Sequence, residues 1–207
     1  MGDFLCIGCG QKLPRLLPPI CQRCGKPESS GGLCSTCWGC QTAISGVRSP
    51  FRFDGVMRRA IHELKYRNLK AISGSLAELL AAYVRDNPVP GEVLVPVPLH
   101  PRRLRERGYN QSSLLALELA RRTGLAVVEN GLYRSKDSPS QAQTTTVEDR
   151  RGNVADAFTC RNSKLSGKRV LLVDDVCTSG ATLEACAAAL RAAGAPSVWG
   201  LTLARET

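Results

Sequence analysis

Asp174 and Asp175 stand side by side after the aliphatic run Val170-Leu171-Leu172-Val173, and the small polar stretch Cys177-Thr178-Ser179-Gly180-Ala181-Thr182 follows. Adjacent carboxylates are costly to bury unpaired, so each needs a partner. Vicinal hydroxyls such as the 2′ and 3′ groups of a ribose supply one, because each can donate to a carboxylate oxygen. Thr178, Ser179 and Thr182 add hydroxyl donors, and Gly180 lets the backbone turn tightly and approach an oxyanion. Amides at the start of a following helix suit a phosphate. These residue types in this order point to a sugar-phosphate pocket. The local alternative is that Asp174 caps the helix while Asp175 pairs with a lysine or arginine.

A second reactive group lies near the start of the chain. Of the 10 cysteines, seven fall within the first 40 residues, six of them in Cys-x-x-Cys pairs. Cys21-x-x-Cys24-Gly and Cys34-x-x-Cys37 have nine residues between them, and two such knuckles can offer four thiolates to a tetrahedral Zn²⁺. A redox dithiol is the competing chemistry; two adjacent pairs and a glycine knuckle favour a closed structural site. Cys6-x-x-Cys9-Gly is a third pair, and Cys40 gives it one further thiol. A second four-ligand site then needs a ligand of another type, unless one pair displaces another. Residues 1–6 lack the basic and apolar regions of an export leader, so metal binding is preferred over disulfides and a cytoplasmic location is expected.

The elements that must position these groups alternate. Val170 to Val173 reads as a strand buried on both faces, with the aspartates at its end, where ligands bind in open α/β sheets. A helix follows from Leu183 to Ala193, and residues 197–204 form the last strand. Upstream, residues 51–55 read as a short strand and turn, and residues 56–66 place Met57, Ala60, Ile61 and Leu64 on one helical face. Residues 76–84 form a second helix, residues 93–98 a strand whose prolines mark its exit, residues 112–122 a helix and residues 125–128 a short strand. Residues 135–146, with Gln141 and Gln143, read as a loop placed to act as a lid or as plain disorder. Residues 147–154 read as a charged helical turn, with Ala157-Phe158 as a brief strand. Strands alternating with helices imply an α/β fold with a parallel sheet. Residues 1–46, rich in Cys, Gly and Pro, form a separate zinc-ribbon region whose stability depends on metal; residues 47–207 form the α/β domain.

With 28 basic and 18 acidic residues the formal net charge is +10, which suits a phosphorylated metabolite or a nucleic acid. The basic residues cluster at Arg102, Arg103, Arg105 and Arg107 and again at Arg150 and Arg151. No apolar run is long enough for a membrane span. His62, beside Glu63, reads as structural or surface-exposed, whereas His100 stands where it can touch a phosphate. Cys177 and Cys186 read as small packing residues. Trp38 and Trp199 are too few for a base-stacking platform. The receiver domain of response regulators also leads aliphatic residues into an aspartate pair. It needs a phospho-acceptor aspartate on a later strand, and no aspartate follows Asp175.

The segment from Val170 to Thr182 resembles the phosphoribosyl-pyrophosphate signature of type I phosphoribosyltransferases. Together with the cysteine pairs, the whole chain resembles the ComF/ComFC (GntX-like) family. Phe53-Asp54-Gly55, Ile61-His62-Glu63-Leu64-Lys65-Tyr66, Val95-Pro96-Val97-Pro98, Arg107-Gly108-Tyr109-Asn110-Gln111-Ser112 and Arg150-Arg151-Gly152-Asn153 fit that pattern. The departure is at the N-terminus, where a double ribbon has four cysteine pairs and this chain has three.

The resemblance implies a type I phosphoribosyltransferase-like sheet flanked by helices, with a zinc ribbon held by Cys21, Cys24, Cys34 and Cys37, and with Cys6 and Cys9 as further candidate ligands. It implies that Asp174 and Asp175 hold ribose hydroxyls and that Thr178, Ser179, Gly180, Ala181 and Thr182 cradle a 5′-phosphate. Lys65, Arg102, Arg103, Arg105 and Arg107 would meet a pyrophosphate neutralised by Mg²⁺. Two functions follow: a DNA-uptake accessory protein that binds phosphoribosyl pyrophosphate or a related nucleotide and handles single-stranded DNA alongside other uptake proteins, or a catalytic phosphoribosyltransferase of nucleotide metabolism or salvage. In the second, Asp174 and Asp175 would serve displacement at ribose C1.

Overall fold

The computed structural model describes residues 5–134 and 157–207. Residues 135–146 and 147–154, the expected lid and charged turn, lie outside the described residues, as do Arg150 and Arg151.

The strands are β1 (Gly46–Arg48), β2 (Phe51–Arg52), β3 (Val93–Pro96), β4 (Ala126–Val127), β5 (Leu132–Arg134), β6 (Phe158–Cys160), β7 (Arg169–Cys177) and β8 (Ser197–Arg205). The helices are α1 (Ile7–Gln11), α2 (Gly55–Tyr66), α3 (Ile72–Asp86), α4 (Pro101–Arg107), α5 (Gln111–Thr123) and α6 (Ala181–Ala192). The main sheet runs β1-β8-β7-β3-β4, with β2 also on β8, and every one of its pairings is parallel. The parallel α/β sheet expected from the alternating pattern is therefore present. β1 and β2 lie in succession along β8, from Trp199 to Leu201 and from Ala204 to Arg205. They form one edge strand interrupted at Ser49-Pro50, where proline removes a donor from the ladder.

Both faces of the sheet are covered, as its aliphatic strands require. On one face Leu94, Leu171, Val173, Leu201 and Leu203 pack against Met57, Ile61 and Leu64 of α2, Leu76 and Leu80 of α3, and Leu115 and Leu119 of α5. On the other, Val95, Val170, Leu172 and Val198 pack against Leu183, Cys186, Ala187 and Leu190 of α6 and against Leu132 and Phe158. Cys177 and Cys186 are buried in this second cluster, in keeping with a packing role.

Three departures from the sequence reading are local. β5 and β6 form an antiparallel pair, not a continuation of the parallel order. β1 has no apolar alternation of its own and forms because β8 supplies its partners. β7 runs through the aspartates to Cys177 instead of stopping at them.

Candidate functional site

β7 pairs with β3 only as far as Val173, opposite Pro96, whereas its pairing with β8 continues to Cys177. Asp174 and Asp175 thus lie beyond the last β3 rung, at the C-terminal end of the sheet. Asp174 Oδ1 accepts hydrogen bonds from Ser112 Oγ at 2.7 Å and from the Asp175 N–H at 2.9 Å. Asp175 Oδ1 accepts from the Val176 N–H at 3.0 Å, and Asp175 Oδ2 lies 2.6 Å from Lys65 Nζ. The Asp175 side chain is 4% exposed and that of Lys65 22%. Burial and the neighbouring Asp175 carboxylate push Asp174 up to about 7, against Lys65 and Ser112. Burial also pulls the Lys65 ammonium down, but Asp175 and then Asp174 outweigh it and hold it above the ordinary lysine value.

Each partner arrives by a legible local route. Asp54 Oδ1 accepts from the Gly55 N–H at the start of α2, and five apolar residues seat that helix on the sheet, so Lys65 in its last turn reaches the aspartates. Gly108 ends α4 in the left-handed region, φ 78°. Tyr109 is buried and donates to the Leu64 carbonyl, tying the turn to the end of α2. Asn110 caps α5 through the Ser112 N–H and donates to the Val97 carbonyl at 3.0 Å, tying the same turn to the exit of β3. Ser112 is thereby placed under Asp174. The Arg107–Ser112 motif is a positioning device, and Ser112, whose hydroxyl meets Asp174, is a candidate site residue that the sequence does not single out.

The arginines divide. Arg107 donates to Gln111 Oε1 and lies 5.4 Å from the Tyr66 ring, next to Lys65 in sequence. Arg103 is half-buried, while Arg105 and Arg102 are exposed, the latter 3.0 Å from Glu106 one turn on. Lys65 is paired with Asp175. His100 Nδ1 caps α4 through the Arg102 N–H, and His62 is exposed with its ring 4.8 Å from that of Tyr66. After β7, Gly180 at φ 85° begins α6 without a side-chain cap, and the Ala181 N–H donates to Ser179 Oγ at 3.4 Å. Residues 178–182 are all partly exposed at this helix start.

The sulfur atoms of Cys21, Cys24, Cys34 and Cys37 all lie within 4.8 Å of one another. Cys24 and Cys34 sulfurs are 3.7 Å apart, close to the edge of about 3.8 Å that a tetrahedron with Zn–S bonds of about 2.3 Å requires. The four thiols can therefore hold a metal. Burial raises Cys21, but the backbone amides of Cys34, Cys24 and Arg23 overcome it and lower that thiol to about 6. Among the described residues no third ligand group joins Cys6 and Cys9, and Cys40 Sγ lies against the Thr36 carbonyl. The knuckle docks on the sheet edge: the Val47 N–H donates to the Arg23 carbonyl at 2.7 Å. Glu184 of α6 accepts from the Ala43 and Ile44 amides at 2.6 and 3.2 Å. Between the knuckles, the start of α6 and Arg205 lies a cavity of about 450 Å³.

Residues 105–205 match the family model described as the phosphoribosyl transferase domain. Competence protein F of Haemophilus influenzae is 33% identical over 217 residues, spanning 97% of this chain and 90% of that one. The chain belongs to the ComF family. A second relative, competence protein ComFC of Bacillus subtilis, is 29% identical across 99% of this chain and 85% of its own. The DNA utilization protein YhgH of Salmonella typhi is 29% identical across 94% and 87%. Among solved structures, the glutamine phosphoribosylpyrophosphate amidotransferase of B. subtilis aligns with 62% of this chain and 25% of its own, at 24% identity and a TM-score of 0.42. With residues 105–205 matching that family model, the fold is a phosphoribosyltransferase-like parallel sheet with a four-cysteine cluster ahead of it. No described helix is long and apolar enough to cross a membrane.

Proposed function

We propose that this ComF-family protein binds phosphoribosyl pyrophosphate or a related nucleotide and serves DNA uptake in the cytoplasm, handling single-stranded DNA with other uptake proteins. The observation that carries the reading is the pair Asp174–Asp175 on the open flank of β7, steadied by Lys65 and Ser112 and leading directly into the start of α6. Two adjacent carboxylates can accept from two vicinal ribose hydroxyls, and the amides at the start of α6 suit the 5′-phosphate. The pyrophosphate end, with Mg²⁺, then meets Lys65 and the α4 arginines. Zn²⁺ in the four-thiol cluster orders residues 1–46 as a ribbon on the edge of the domain formed by residues 47–207. The printed names of the relatives, competence proteins and DNA utilization proteins, support the DNA-uptake half. The intact carboxylate pair also favours a second reading, a catalytic phosphoribosyltransferase in which pyrophosphate leaves ribose C1.

Calorimetry with phosphoribosyl pyrophosphate and Mg²⁺ tests the site. Binding is expected for the intact chain and not for the Asp174→Ala, Asp175→Ala double variant; an intact chain that binds nothing overturns the assignment. Single-stranded DNA binding should weaken steeply with salt. Pyrophosphate release on adding nucleobases separates the catalytic reading from the binding one.

A further inference from the structure

Arg205, the last residue of β8, is 2% exposed and has no acidic partner among the described residues. Its Nη1 donates to Cys177 Sγ at 2.7 Å, and its Nε is buried without a hydrogen-bond partner. A thiol sulfur is a weak acceptor and cannot balance a guanidinium, and a buried charge left unbalanced is strongly destabilising. Some negative charge must face it.

The nearby groups narrow the choice. Arg205 shares its cavity with Cys24, Cys37 and Glu184. Glu184 keeps its charge but turns both carboxylate oxygens to the Ala43 and Ile44 amides, and among the described residues no ion pair joins it to a cation. Cys24 and Cys37, which line the same cavity, belong to the four-thiol cluster. Four thiolates around a divalent ion carry a net double negative charge, which hydrogen-bond donors and cations around the centre stabilise. Arg23, on the wall of the same cavity, also meets the cluster, donating to the Cys37 and Cys40 carbonyls at 2.9 and 2.6 Å. On the sheet side, Arg205 is held by its own backbone, with the Phe53 N–H donating to its carbonyl and the Glu206 N–H to that of Cys177. Cys177 immediately precedes Thr178.

We propose that Arg205 is the buried counter-ion of the metal–thiolate centre and, through Cys177, ties that centre to the loop 178–182. The first half stands on the cysteine cluster alone; the second rests on reading that loop as a phosphate cradle. Arg205 is a positioning residue in this scheme and touches no ligand. Loss of the metal leaves its charge unbalanced, and the strain falls on Cys177 and the loop that follows.

The test uses the full zinc-loaded chain with Arg205→Met and Arg205→Lys. Zinc release to excess chelator should be at least about tenfold faster from the Met variant, the usual scale for outer-shell partners, with the Lys variant between it and the parent. Equal release from the parent and a folded Met variant overturns the counter-ion role. If the Met variant does not fold, the Lys variant decides. Folding with near-parental zinc retention supports a need for charge, and failure to fold shows a need for shape and overturns the proposal. Stripping zinc from the parent chain should weaken phosphoribosyl-pyrophosphate binding by about fivefold or more, the range of ordinary coupling between sites. Unchanged affinity overturns the tie. A zinc-loaded parent that does not bind phosphoribosyl pyrophosphate sinks the phosphate-cradle reading and with it the tie, while the release rates still decide the counter-ion half.

Discussion

Replacing Asp174 by Asn should stabilise the free protein, and by an amount set by pH. The Asp174 carboxyl is raised to about 7 by burial and by Asp175, against about 3.9 for an unperturbed aspartate. The folded state therefore holds the proton more tightly than the unfolded chain. Stability attributable to this group is highest below the unfolded value and falls as pH rises towards the folded value. Three pH units at about 1.4 kcal/mol each set an upper limit of about 4 kcal/mol. Between pH 5.5 and 8 the change is at most about 2 kcal/mol, and less because Asp174 keeps some solvent contact that screens its interactions.

Denaturant unfolding of the zinc-loaded parent and Asp174→Asn chains, at several pH values in that window, reads the effect as a difference. Protonation of the four clustered thiols acts on both chains and cancels. The variant should gain about 1–2 kcal/mol on the parent between pH 5.5 and pH 8. A difference that stays flat, or shrinks with rising pH, refutes the reasoning. The functional corollary runs the other way: an acceptor for ribose hydroxyls must be ionised, so ligand affinity should fall by up to about tenfold per unit below pH 7.

Two further substitutions probe the supports. Ser112→Ala removes the hydroxyl that donates to Asp174 Oδ1; a bond to a charged group is worth about 1.5–3 kcal/mol, so unfolding midpoints should drop more at pH 8 than at pH 5.5. Gly25→Ala puts a Cβ 2.6 Å from the Val47 carbonyl oxygen at φ +71°, which should cost about 1–3 kcal/mol and loosen the knuckle from β1, measured as earlier unfolding and faster zinc loss.

Legibility followed the range of the interactions. β3, β7 and β8 announce themselves because strands buried on both faces are runs of aliphatic residues. The four-thiol cluster does so because each knuckle is complete within four residues. β1 does not, since Gly46–Arg48 is a strand only by virtue of Trp199 to Leu201. The β5–β6 pair is equally short and equally dependent on a distant partner. Lys65 was recognisable as a site residue, but its helix fixed only its position. That it meets Asp175 and not a pyrophosphate in the free chain depends on how α2 docks. Ser112 looked like an ordinary helix start until its hydroxyl was seen beneath Asp174. Arg205 carries no signal at all: the end of a strand is an ordinary place for an arginine, and only its burial without a carboxylate sets it apart.

The engagement of Lys65 bears on how an acidic site can take a strongly anionic ligand. Two carboxylates facing a phosphate repel it, and a lysine paired with one of them has little attraction left over. Hydroxyl donors change that balance. Once ribose hydroxyls satisfy the carboxylates, the ammonium is no longer the only polar partner of Asp175 Oδ2, and its partial exposure leaves it free to turn towards negative charge. The α4 arginines lie beyond it, with Arg107 against Tyr66. A ligand with hydroxyls but no phosphate would gain nothing from that side, and a phosphate without hydroxyls would leave Lys65 held by Asp175. In the proposed function, selectivity for a sugar phosphate over either fragment then comes from one lysine that can change partners.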